Sequence, residues 1–329
     1  MRIAVFSTKS YDKDYLDRFN TAKKHDLIYF EAPLNINTAN LTLGFTGVCV
    51  FVNDKLDKAT LDAIARNGIR LVVLRCAGFN NVHLDAAKQN NIKVFRVPAY
   101  SPHAVAEHAV ALMLTLARKT HKAYNRVREN NFSLERLNGF NIHGKTVGVI
   151  GTGKIGEAFC RIMLGFGARV IAYDVVSSPD LIKAGVEYKP LDELMKLSDI
   201  ISLHCPLNTE TKYMINKDTI HHMKKGVMLI NTSRGALVNT QDVLVALKRE
   251  KIGYLGIDVY EQEEKLFFND LSESIIEDDL IARLISFPNV LITAHQGFFT
   301  NEALEQIAET TITNISDFEH GKTSGNEVE

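Results

Sequence analysis

The chain has 329 residues, 46% hydrophobic and 23% charged, with a formal net charge of −1. That length accommodates two domains with cores of their own. The balanced charge excludes a bulk pull toward nucleic acid or anionic membrane, no basic cluster resembles a nucleic-acid footprint, and no apolar run is long enough to span a bilayer.

Read from its start, the chain opens into an apolar strand, Met1 to Phe6, with no signal peptide. Strands are predicted at Ile3–Ser7, Leu27–Phe30, Val48–Val52, Leu71–Arg75 and Ile92–Val97, and helices near Lys13–Lys24, Lys58–Asn67 and Leu84–Gln89. This alternation implies a small parallel α/β domain. Pro98 and Pro102, on either side of Tyr100, break the pattern. A long helix is expected from His103 to about Asn130. Its first half, Ala104 to Leu116, is apolar on nearly every face, which suits burial between domains or in a subunit interface. At least a dimer is expected, as a homodimer or homotetramer.

The stretch Gly151-Thr152-Gly153-Lys154-Ile155-Gly156 follows an apolar strand, Thr146 to Ile150, and precedes a helix over Glu157–Phe166. A second strand, Arg169 to Tyr173, then ends in Asp174. Strand, glycine turn, helix, strand and acid together form the dinucleotide-binding unit. Glycines let the backbone approach a pyrophosphate, the helix start offers free N–H groups, and Asp174 is placed to accept from the adenosine ribose. No Arg or Lys lies in Val175–Asp180 to receive a 2′-phosphate, so NAD rather than NADP is expected.

Further strands are predicted at Ile200–His204, Val227–Asn231, Leu255–Asp258 and Val290–Ala294, then a closing helix, Ala303–Phe318, and a polar tail. A glycine motif in mid-chain implies a discontinuous first domain, residues 1–100 and 297–329, with the cofactor domain at 101–296. Two crossovers, near Tyr100 and Gly297, would then form a hinge. Ligands in such folds bind beyond the C-terminal ends of the strands. Arg234, Asp258, Glu263 and His295 all follow strand ends and so converge on the edge that holds the cofactor. Taken singly, Arg234 could be a surface residue, Asp258 a helix cap, Glu263 part of a solvated acidic run and His295 a core histidine. The four cysteines, Cys49, Cys76, Cys160 and Cys205, show no CxxC spacing, and no metal site is expected. They read as structural thiols in a reducing, cytoplasmic compartment.

These residues resemble the D-2-hydroxyacid dehydrogenases over essentially the whole chain. The supporting segments are GTGKIG at Gly151–Gly156, HCPL at His204–Leu207, NTSRGALV at Asn231–Val238, GIDVYEQE at Gly256–Glu263 and AHQGFF at Ala294–Phe299. RCAGFNNV at Arg75–Val82 and VPAYSPHAVAEHA at Val97–Ala109 look most like the lactate-specific members. The resemblance implies two doubly wound parallel-sheet α/β domains, a flavodoxin-like catalytic domain and a Rossmann NAD-binding domain. It implies reversible reduction of a small 2-oxo acid, pyruvate, to the D-2-hydroxy acid. It makes His295 the proton donor and Glu263 the partner of its other ring nitrogen, favouring the protonated form. Arg234 would clamp the substrate carboxylate, aided by backbone N–H groups of Ala77 and Gly78, with Tyr100 and Phe298 lining a small side-chain pocket. Toward NAD it assigns Gly151, Gly153, Lys154, Ile155 and Gly156 at the pyrophosphate and Asp174 at the ribose. Cys205, Pro206, Thr232, Ser233, Arg234 and Asp258 fall toward the nicotinamide half, and Thr211 stands where some relatives carry Asn. Two alternatives remain: a hydroxyisocaproate-type enzyme with a roomier pocket, and an NAD-sensing corepressor or scaffold on the same fold.

Overall fold

The computed structural model describes residues 1–328, with Lys265 by its backbone alone. The chain divides into two α/β units, Met1–Ser101 together with the chain from Phe298 onward, and Pro102–Gly297.

In the first unit five short strands pair in parallel, in the order Lys93–Phe95, Leu71–Leu74, Gly47–Val50, Arg2–Val5, Asp26–Tyr29. Their central members read as unbroken apolar runs because both faces are covered. On one face Leu61 and Ile64 of the helix Lys58–Arg66 pack among Val48, Val50 and Val72. On the other, Ala308, Ile312 and Ile315 of the helix Asn301–Glu319 meet Ile3, Val5 and Val73. Asp57 caps the first of these helices through Thr60 N–H and Thr300 caps the second through Ala303 N–H.

The second unit is a seven-stranded parallel sheet, ordered Val290–Ile292, Ile252–Ile257, Val227–Asn231, Ile200–Leu203, Thr146–Ile150, Arg169–Tyr173, Glu187–Tyr188. The order reverses between Thr146–Ile150 and Ile200–Leu203, and that switch point opens a crevice at the strand ends.

Four expectations need correction. The helix expected from His103 to about Asn130 is two helices, Pro102–Arg118 and Thr120–Arg128, separated by Lys119 in the left-handed region at φ 53°. The returning chain causes the break. Phe140 N–H takes the Ala117 carbonyl, and Gly139 lies so close that an added Cβ would sit 2.1 Å from that oxygen. The apolar stretch Ala104–Leu116 packs largely into the core of its own unit. Leu112, Met113 and Leu116 are buried in one cluster with Val147, Phe159 and Ile230. The polar tail is not all loop: Glu327–Val328 pairs antiparallel with Lys93–Phe95, an element too short for any periodic signal. The helix expected over Lys13–Lys24 also runs Ser10–Phe19, ended by Asn20, whose side chain bonds both backbone groups of His25. Among the described residues no helix is long and apolar enough to cross a membrane.

Candidate active site

At the switch point of the second unit, Gly151 has φ 92°, and a Cβ there would lie 2.5 Å from Cys205 N. Only glycine fits. Gly156, one turn into the helix Lys154–Gly165, passes so near Gly151 that a Cβ would meet its carbonyl oxygen at 1.9 Å. Gly153 is different: nothing lies within 4 Å of where its Cβ would point. The helix starts at Gly153 with no side-chain cap, so the N–H groups of Lys154 and Ile155 in its first turn have no acceptor among the described residues. Two glycines thus close the turn and the third leaves room for an anion.

Beside this turn lies a cleft of about 300 Å³ lined by Gly151, Gly153, Asp174, Cys205, Pro206 and Thr211. Asp174 Oδ2 accepts from Thr152 N–H at 2.5 Å and from Thr152 Oγ1 at 3.1 Å, and Oδ1 receives a long contact from Val176 N–H at 3.4 Å. Burial pushes the Asp174 carboxyl up, but these donors outweigh it and hold it below the usual carboxylate range. An ionised, half-committed carboxylate at this point suits a ribose diol and repels a 2′-phosphate. Thr211 Oγ1 donates to Pro206 O and accepts from Asn208 N–H, so Thr211 shapes the loop that walls the cleft. Thr232 Oγ1 is buried without a partner among the described residues, an orphan that a bound polar ligand would satisfy. The donor set and the open glycine therefore fit a dinucleotide.

The loops after the next strands are bound together. Ser233 Oγ donates to Cys205 O at 2.7 Å, and Asn231 Nδ2 donates to Arg234 O at 2.9 Å. Gly235 abuts the neighbouring loop: a Cβ would fall 2.0 Å from Tyr260 C. Half-buried Arg234 is thus fixed at its backbone, with Nη1 donating to Ser233 O. In the loop it abuts, Tyr260 N–H donates to Glu263 Oε2 at 2.9 Å, and Glu263 Oε1 lies 2.8 Å from His295 Nδ1. The carboxylate anchors the ring at Nδ1 and leaves Nε2 for a substrate.

Asp258 acts behind this pair. It is buried, its backbone oxygen accepts from His295 N–H at 2.7 Å, and its carboxylate accepts from Gln296 and Gly297 N–H at 2.9 and 2.8 Å. Thr293 Oγ1 adds a bond at 2.5 Å, and His108 Nε2 lies 3.3 Å away. Three consecutive N–H groups on one residue explain how His295 is held at φ 52°, a conformation rare for a side-chain-bearing residue. The geometry makes Asp258 an anchor of the His295 loop.

In the first unit, Ala77 and Gly78 form a half-buried loop after Leu71–Leu74, and their N–H groups donate to no protein acceptor among the described residues. The Tyr100 and Phe298 rings meet edge to face at 6.2 Å, and Phe51 lies 5.8 Å from Phe298. Phe51, His108, Thr293 and Arg96 escaped sequence reasoning. Phe51, Arg96 and Thr293 each directly follow a strand, and that position is the one signal they carry.

Residues 110–297 match the model of the D-isomer specific 2-hydroxyacid dehydrogenase NAD binding domain. The chain is 51% identical to D-lactate dehydrogenase of Escherichia coli across 100% of both chains. Among solved structures, the apo form of D-lactate dehydrogenase from Escherichia coli superposes with a TM-score of 0.92 at 49% identity, covering 100% of each chain. One described as the pyruvate reductase of Chlamydomonas reinhardtii reaches 0.94 at 44%, covering 99% of this chain and 98% of its own.

Proposed function

Because the chain belongs to the D-isomer-specific 2-hydroxyacid dehydrogenases and carries their NAD-binding domain, we propose that it reduces pyruvate reversibly to D-lactate. The observation that carries this reading is the Glu263–His295 pair at 2.8 Å, one loop away from Arg234 and on the same sheet edge as the open glycine turn. NADH, held by Gly153, Lys154, Ile155 and Asp174, would supply the hydride.

The chain's own residues supply the rest. His295 gives a proton from Nε2 to the carbonyl oxygen as negative charge develops there, while Glu263 holds the ring and balances the imidazolium. Arg234 pairs with the substrate carboxylate through its planar fork and polarises the carbonyl. The unengaged N–H groups of Ala77 and Gly78 support a second hold on the carboxylate, and the Phe51, Tyr100 and Phe298 rings support a pocket for a side chain as small as methyl. The handedness of the product follows the family. Four free, buried cysteines support a cytoplasmic location.

A panel of 2-oxo acids, followed by NADH absorbance, tests the reading. Pyruvate should give the highest kcat/KM. A better result with 2-oxoisocaproate would move the chain to the hydroxyisocaproate type, and NADH binding without turnover of any 2-oxo acid would make it a sensor.

A further inference from the structure

Arg96 is a half-buried arginine with no carboxylate partner among the described residues. Its guanidinium lies over the Phe79 ring at 5.2 Å, and Nη1 donates to the Ala77 carbonyl at 2.9 Å. The backbone of Arg96 is held on both sides by the end of the chain. Arg96 N–H donates to Asn326 O, Asn314 Nδ2 donates to Arg96 O, and Asn326 Nδ2 donates to Asn314 Oδ1. The strand Glu327–Val328 then pairs alongside Lys93–Phe95. Nothing in this arrangement neutralises the guanidinium.

The Ala77 carbonyl and the Gly78 N–H belong to one peptide unit. A cation bonded to the oxygen of a peptide draws electron density from it and makes the N–H at its other end a stronger donor. That N–H is one of the two left without a protein acceptor. Cys76 Sγ donates to Gly78 O at 3.2 Å, which fixes the following peptide as well. We propose that Arg96 is a positioning residue for the substrate carboxylate: it orients and polarises the Ala77–Gly78 peptide, and the chain's C-terminal segment locks it there. This rests on the reading of Ala77 and Gly78 as carboxylate donors. Its uncompensated charge, one peptide away, is complementary to an anion at that loop.

The test compares the parent with Arg96→Met and Arg96→Lys, using pyruvate and the smaller glyoxylate as substrates and oxamate as an unreactive isostere. In Arg96→Met, KM for both 2-oxo acids should rise by the same factor, roughly tenfold, the scale of one charge-assisted hydrogen bond. The kcat and the NADH affinity read by fluorescence should stay near the parent's. The thermal shift given by oxamate in the presence of NADH should shrink. Arg96→Lys, which can still donate to the Ala77 carbonyl, should recover part of the loss. If Arg96→Met does not fold, Arg96→Lys decides alone, with a smaller rise in both KM values. An unchanged KM, a fall in kcat alone, or a changed preference between pyruvate and glyoxylate would overturn the proposal, the last because it marks a distorted side-chain pocket. A parent that reduces neither acid overturns the functional reading and this inference together. A parent that reduces both, beside variants with parental KM, overturns this inference only.

Discussion

His295 and Arg234 divide one task between them, so their losses should differ. His295→Gln removes the proton donor and leaves the clamp: kcat should fall by roughly 10²–10⁴, the usual scale of general acid catalysis, with KM for pyruvate changing less. Arg234→Lys keeps a positive charge but loses the fork, so steady-state kinetics should show KM rising as kcat falls. Glu263→Gln leaves an amide at His295 Nδ1, where a carboxylate now sits at 2.8 Å. Reduction uses the protonated ring, and the cation would have lost its charged partner. Some activity should persist, with kcat for pyruvate reduction below the parent's. A kcat identical to the parent's would return Glu263 to the solvated acidic run. Asp174, Glu263 and His295 could be seen in the sequence because each ends or follows an apolar strand. Arg96 could not, because its role depends on a carbonyl 19 positions earlier and on the far end of the chain.

Among the elements, the loops beyond the strands carry the consequences. Gly235 abuts the Tyr260–Glu261 backbone, with no flexible side chain to move aside. Gly235→Ala should force the Arg234 loop away from the Glu263 loop and lower kcat/KM by an order of magnitude or more, while NADH binding, measured by fluorescence, survives. The Asp258 anchor has a pH signature. Burial pushes its carboxyl up, but hydrogen bonds from His108, Thr293 and Gln296 outweigh that and hold it below the usual carboxylate range. A carboxyl depressed by folding stabilises the protein fully above its unfolded pKa, and that contribution is lost as pH falls through the folded value. Asp258→Asn should therefore flatten the acid side of a thermal-stability profile. At neutral pH it should cost about 1–3 kcal/mol, the price of donors left with a poorer acceptor. The sheet elements themselves were readable: Thr146–Ile150, Arg169–Tyr173 and Val227–Asn231 lie where apolar runs put them. The helix break at Lys119 was not, because a chain segment 20 residues later imposes it by taking the Ala117 carbonyl.

For the whole molecule, the proposal of a homodimer or homotetramer draws less on Ala104–Leu116 than the sequence implied, since Ala106, Leu112, Met113 and Leu116 pack into the core of their own unit. It rests instead on Tyr124, Val127, Phe132 and Leu134, large apolar side chains exposed within one short stretch. Light scattering at micromolar concentration should give at least twice the mass of one chain, and Phe132→Ser with Leu134→Ser should lower it. A single-chain mass for the parent would overturn the proposal.

The division of the chain also sets an order of events during translation. Residues 102–297 leave the ribosome as one uninterrupted unit, with every strand of their sheet already made. The first unit begins earlier yet must wait: the helix Asn301–Glu319, which packs on one face of its sheet, and the edge strand Glu327–Val328 are synthesised after the whole second unit. Until then Ile3, Val5 and Val73 have only Leu16 and its neighbours on the helix Ser10–Phe19 for cover on that face, and the nascent chain carries a finished cofactor unit beside an unfinished one with part of its apolar sheet exposed. The half of the protein that begins first is the half completed second.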